Sequence, residues 1–220
     1  QANHRFMVQA AAHAGNVDRN PVRDDLEDAI SRFCPIDCIV NVVLDERKQV
    51  IHAVCGDFVK AHRVGGDVLD RVYLKPIEKR ADIVIASQGG APKDLNLYQT
   101  QKALDNAKNA VRDGGIIILV GACQEGLGEP VFERWLGEAA SPDEMVTRIG
   151  ERFELGGHKA AAIGMVLQKA RVFLVSEMDP DFVRTIFLEP YTDVQSALTA
   201  ALRALGEQAT VIVMPHGGST

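Results

Sequence analysis

Residues Ala81 to Ala122 read "ADIVIASQGGAPKDLNLYQTQKALDNAKNAVRDGGIIILVGA". Two β-branched runs, "DIVIAS" and "IIILVGA", flank a Gly-Gly-x-Pro turn and a long polar segment. The runs read as strands and "LNLYQTQKALDNAKNAVRDGG" as a helix between them, with Gly114 and Gly115 expected to supply its C-cap. Strand, helix, strand in that order predicts parallel pairing with a helix covering the sheet.

The alternation continues downstream. Val131 to Leu136 reads as a short helix, Ser141 to Glu151 as a helix opened by Ser141-Pro142, and "HKAAAIGMVLQKA" as another. "RVFLVSE" is a strand, "DVQSALTAALRAL" (Asp193 to Leu205) a helix, and "ATVIVMP" the last strand. The expected fold class is α/β: an open, mostly parallel sheet flanked by helices, spanning residues 81–220.

Upstream the pattern is different. Asn20-Pro21 precedes a helix expected over Asp24 to Phe33, with Asn20 as N-cap and Pro21 in the first turn. Ile36 to Asp45 reads as a strand, Glu46-Arg47-Lys48 as a charged turn, and "QVIHAVCGD" as the hairpin partner. A helix from Asp57 to Val72, carrying His62, follows. One hairpin and two helices are too little to close a core, so residues 1–75 are expected to be a partial α/β remnant of a first domain, with residues 76–80 as linker. The chain opens on Gln1 rather than Met, as if cut from a longer one.

Composition narrows the functional classes. Lys and Arg number 24 against 30 Asp and Glu, for a net charge of -6, and the basic residues are not clustered, which argues against a nucleic-acid partner. No apolar run approaches the roughly 18 to 20 residues of a bilayer crossing, and no basic-then-apolar leader opens the sequence. A cytoplasmic protein without a membrane partner is the expectation. Cys34, Cys38, Cys55 and Cys123 form no CxxC pair and are expected to be reduced, half-buried thiols. The six histidines show neither HxH nor HExxH spacing, so no complete metal site is encoded.

In an open parallel sheet, ligands bind beyond the carboxyl ends of the strands. Ser87 to Asp94 is such a loop, and it leads into a helix carrying Tyr98, Gln99 and Lys102, three and four residues apart and able to converge on one side. A helix N-terminus beside an ammonium and an amide favours a carboxylate or phosphate. Spacing leaves two readings open, an anion site or a solvated polar face. Val120 to Leu136, with Gly126 and Gly128, and "ELGGHKAAAIGM", with His158 and Lys159, are two further loop-to-helix entries.

The segment "GGAPKDLNLYQTQKA" resembles the Gly-Gly-x-Pro-x-Asp-x-Asn-x-Tyr-Gln-x-x-Lys motif of the nickel-dependent lactate racemase family. The likeness extends to "NHRFMVQAAAHAGNVDRNPVRDDLEDA", "IVNVVLDERKQVIHAVCGDFVKAHRVG", "DGGIIILVGACQEGLGE" and "VIVMPHGGST". It implies two α/β domains with the active site between them, a nickel pincer nucleotide cofactor, and racemisation of 2-hydroxy acids by hydride transfer to the cofactor through a planar 2-keto acid. By the same resemblance His4 matches the nickel-ligating, cofactor-contacting histidine. Tyr98, Gln99 and Lys102 match substrate-facing residues, with Lys102 the partner of the carboxylate. His158 stands where lactate-racemising members carry tryptophan, and Ala91 replaces the tyrosine of Gly-Gly-Tyr-Pro. Both departures bear on substrate choice.

The family's two acid/base histidines, cofactor-tethering lysine and Gly-rich phosphate region have no counterpart in these residues. The resemblance therefore implies the carboxyl-terminal half of a racemase or epimerase, inactive alone, with the amino-terminal catalytic half as its partner. Two other readings are a non-catalytic carboxylate-binding α/β domain and a fragment that self-associates through its uncovered first quarter.

Overall fold

The computed structural model describes residues 2–45 and 47–218, which leaves Gln1, Glu46 of the charged turn, Ser219 and Thr220 outside the described residues. The chain divides into two compact units, 1–76 and 77–220.

The first unit opens with a 3-10 helix, Ala2–Val8, followed by α1, Pro21–Phe33. Asn20 caps α1, its side chain accepting from the amides of Val22 and Arg23 while Pro21 occupies the first turn. Strands β1 (Ile39–Leu44) and β2 (Val50–Gly56) form an antiparallel hairpin, and α2 (Phe58–Tyr73) packs on it. Gly65 faces Val54 across that contact. Arg63 on α2 reaches Glu27 on α1 at 2.8 Å and ties the two helices. Among the described residues of this unit only Val43 and Ala61 are buried apolar side chains, and Phe33, Val40 and Val50 are exposed.

The second unit contains β3 (Ala81–Ser87), α3 (Leu97–Ala110), β4 (Val111–Val120), α4 (Pro130–Glu138), α5 (Pro142–Glu151), α6 (Gly157–Leu167), β5 (Arg171–Val175), α7 (Pro180–Thr185), β6 (Glu189–Tyr191), α8 (Val194–Leu205) and β7 (Val211–Met214). The sheet order is β6-β5-β4-β3-β7 and every pair is parallel, as strict alternation implies. Ile83, Ile116, Ile118 and Phe173 pack with Ala197 and Ala201 of α8. The strand period of two sends Val84, Ile117, Leu119 and Leu174, all fully buried, to the opposite face, where α3 and α6 lie.

Three expectations are corrected. Helix α3 ends at Ala110, not at Gly114-Gly115. Val111 is its C-cap and already pairs with Ala81, and the next paired position is Ile116 with Ile83, so residues 112–115 bulge out of the ladder opposite Asp82. Gly115 is required there by close approach, since a Cβ would come within 2.7 Å of the Asp82 carbonyl oxygen. Secondly, α7 and β6 add elements to the stretch between "RVFLVSE" and Asp193, and Pro190 in β6 is tolerated because β6 is an edge strand. Thirdly, the four free cysteines are not half-buried: Cys34, Cys38 and Cys55 lie exposed in the open first unit, whereas Cys123 is buried beneath the second sheet's loops. Among the described residues no helix is long and apolar enough to cross a membrane.

Candidate functional site

Parallel pairing brings the loops after β3, β4 and β5 to one end of the sheet. Gln88 N donates to Val120 O, Gly121 N to Val175 O, and Glu177 N to Ala122 O. Asp94, itself buried, accepts from Ala122 N at 3.1 Å through its carboxylate and from Cys123 N at 2.9 Å through its backbone carbonyl. These bonds fasten the first loop to the second and fix the point where α3 begins.

The start of α3 departs from expectation. Leu97 N donates to Gly126 O at 2.9 Å, Tyr98 N to Leu127 O at 3.2 Å, and Gln99 N to the Asn96 side chain at 3.1 Å. A helix end attracts an anion through unpaired amides, and here carbonyls of the second loop and the N-cap have taken the first three. Any acidic ligand on this helix must be held by side chains.

Two of those side chains, Gln99 and Lys102, meet. Lys102 is exposed and its Nζ donates to Gln99 Oε1 at 2.6 Å, which leaves the Nε2 group of that amide as its outward donor. The half-buried Tyr98 ring stands edge-on to Phe132, with centroids 5.5 Å apart and an interplanar angle of 82°. Burial first and the Glu129 carboxylate second push the Tyr98 phenol above its ordinary pKa, so it remains a neutral O–H donor. Phenol, amide N–H and ammonium on one face form a set of donors suited to a carboxylate.

Helix α6 stands alongside. Its N-cap is Gly156, at φ +97°, and a Cβ on Gly157 would lie 2.5 Å from Trp135 Cε2, so the Gly-Gly pair is what lets α6 start against α4. His158 Nδ1 accepts from Gly156 N at 3.2 Å, placing the proton of the neutral ring on Nε2, and the ring lies 6.1 Å from that of Phe153. The next residue, Lys159, donates from Nζ to Gln101 Oε1 at 2.8 Å. Neither Lys159 nor Gln101 stands out by spacing, because 58 residues separate them and only the packing of α6 on α3 joins them.

His4 belongs to the first unit. Asn3 Nδ2 donates to Val22 O at 3.1 Å, which turns Asn3 Oδ1 toward His4 Nδ1 at 3.2 Å. A carbonyl oxygen only accepts, so this contact selects the His4 ring form with a proton on Nδ1. Among the described residues no cluster of three or more His, Cys, Asp or Glu could hold a metal ion.

Comparisons with known proteins find relatives of this chain. A family model described as the lactate racemase C-terminal domain matches residues 77–220. The lactate racemase of Thermoanaerobacterium thermosaccharolyticum is 30% identical over 225 aligned positions, covering 99% of this chain and 52% of that protein. The lactate racemase of Lactiplantibacillus plantarum is 31% identical over 223 positions, covering 98% and 52%. A solved structure of the T. thermosaccharolyticum lactate racemase apoprotein matches with a TM-score of 0.90 at 30% identity, over 100% of this chain and 54% of that one. A Thermotoga maritima protein of solved structure shares the fold, with a TM-score of 0.62 at 16% identity over 91% of this chain and 53% of its own. The chain spans about half the length of the curated relatives it matches. It belongs to the lactate racemase family, with residues 77–220 corresponding to the C-terminal domain.

Proposed function

We propose that this chain is the carboxyl-terminal part of a nickel-pincer-dependent racemase or epimerase of 2-hydroxy acids. The observation that carries the reading is the donor face of Tyr98, Gln99 and Lys102 at the carboxyl end of the sheet, in a chain whose relatives are lactate racemases along its whole length.

In this reading the Lys102 ammonium and the Gln99 Nε2 group hold the substrate carboxylate, and the neutral Tyr98 phenol donates to an oxygen of the same substrate. His4 would be this chain's ligand to the nickel, its ring oriented by Asn3. The chemistry that a bound cofactor would supply is that of a reversible hydride acceptor. Loss of the α-hydride with the hydroxyl proton leaves a planar 2-keto acid, which has no stereochemical memory and can be rebuilt on either face. The donor face fixes the carboxylate so that the planar carbon turns little while it waits, a positioning role. The acid and base that move the hydroxyl proton are assigned to histidines in the half of the relatives' length that this chain does not span, so the chain alone is inactive. His158, at the start of α6 where lactate-racemising members carry tryptophan, bears on which hydroxy acid is used.

The test is interconversion of enantiomers by the full-length protein matured with cofactor, over a panel of 2-hydroxy acids. Conversion of at least one acid is expected. No conversion across the panel with nickel content verified would overturn the enzymatic reading and leave a carboxylate-binding domain.

A further inference from the structure

The Lys159 side chain is 18% exposed, with Nζ 2.8 Å from Gln101 Oε1 and 3.7 Å from Asp105 Oδ2. Gln101 is fully buried, and its Nε2 group has no hydrogen-bond partner. An ammonium has three donors and no acceptor, so it forces the Gln101 carbonyl toward itself and strands the amide N–H₂. Burying a lysine and orphaning a buried amide both oppose folding. The Asp105 carboxylate is shared with Lys108, whose Nζ is 3.1 Å away, and Lys102 lies one turn before Asp105 on α3. Two ammonium groups therefore share one carboxylate, with the Lys102 charge near enough to act on Lys159, a local excess of positive charge in a chain of net charge -6.

We propose that Lys159 is a positioning residue for the α3 donor face, a shielded ammonium whose field strengthens the hold of Lys102 and Gln99 on a ligand carboxylate. The inference rests on the carboxylate role assigned to Lys102 above. A charge withdrawn from solvent acts on a neighbouring anion through a lower effective dielectric than one on the surface. In the ligand-free site Lys159 and Lys102 repel each other. Burial first, and then the neighbouring Lys102 and Lys108 charges against the pull of Asp105, hold Lys159 below the ordinary lysine pKa. A carboxylate arriving at Lys102 relieves that repulsion, and the benefit is larger for an anion than for a neutral molecule of the same shape.

The test measures binding of lactate and of its neutral analogue lactamide to the full-length protein by ligand-observed NMR, together with KM and kcat on the cofactor-loaded enzyme. Lys159→Met is expected to weaken lactate binding about tenfold, raise KM alike, and leave lactamide binding and kcat within about twofold. Lys159→Arg restores most of the loss. Asp105→Asn, which removes the opposing charge, is expected to tighten lactate about threefold, and it decides the matter if the Lys159 variants do not fold. Equal loss for lactate and lactamide, or no change from either substitution, overturns the proposal. Lys102→Ala separates the two ideas: if it leaves lactate binding unchanged, the carboxylate reading itself fails. If it weakens binding while Lys159→Met and Asp105→Asn have no effect, only the role of Lys159 fails.

Discussion

Leu97 N donates to Gly126 O across the two loops that leave β3 and β4, so the first amide of the site helix is capped by a residue 29 positions away in sequence. With Tyr98 N on Leu127 O, this bond makes the loop after β4 part of the N-terminus of α3. The helix end is neutralised by backbone, and recognition passes to the side chains further along.

Lys102→Ala in the full-length enzyme is therefore expected to raise KM for the hydroxy acid about tenfold, a value suited to an exposed charge with one amide partner. Nickel and cofactor content are expected to stay at wild-type levels. Steady-state kinetics with metal analysis checks both, and unchanged kinetics would return Lys102 to the solvated face.

Gly157→Ala should destabilise the second unit by about 1–3 kcal/mol, because the added methyl meets Trp135 and α6 must shift. Trp135 is the sole tryptophan of the chain, so intrinsic fluorescence reports the displacement directly. Denaturant titration followed at the tryptophan should show an earlier midpoint and an altered native spectrum.

Asp82 accepts from the Thr210 hydroxyl at 2.6 Å, from Thr210 N at 2.8 Å and from Arg112 Nε at 2.5 Å. These bonds, the Thr210 hydroxyl first, hold its carboxyl well below the usual aspartate pKa. A group with a depressed folded pKa contributes stability that is complete above its unfolded pKa, about 3.9, and is lost as pH falls through the folded value. Denaturation curves from pH 6 downward should show the wild type losing stability below pH about 4, with a smaller loss for Asp82→Asn.

Burial first, with the Asp94 carboxylate adding to it, pushes the Cys123 thiol up to about 11, despite its hydrogen bond to Thr100 Oγ1 at 3.5 Å. A thiol-specific reagent at pH about 8 should label Cys34, Cys38 and Cys55 of the folded chain while Cys123 reacts only after denaturation. Rapid labelling of Cys123 in the folded state would contradict its placement.

The strands and their parallel pairing were legible because buried parallel strands must be apolar on both faces, as "DIVIAS" and "IIILVGA" are. The end of α3 was not. Val111 to Gly115 carries the local marks of a helix tail with a glycine cap, and the pairing of Val111 with Ala81 outweighs them. Tyr98, Gln99 and Lys102 could be placed on one side from spacing, since a helix alone fixes that relation. The capping of α3 by Gly126 and Leu127 and the Lys159–Gln101 bond depend on how separate elements pack, which no local window contains.

The order β6-β5-β4-β3-β7 seats the last strand beside the first one of the unit, where Thr210 meets Asp82 and Gly217 O accepts from Asn106 of the site helix at 2.6 Å. During synthesis, then, β3 and α3 emerge early and wait unpaired on one side until Val211–Met214 leave the ribosome. A message truncated before Val211 would release a chain whose β3 is a bare, apolar edge, prone to pair with other chains, so loss of these few residues should appear as aggregation before it appears as lost binding.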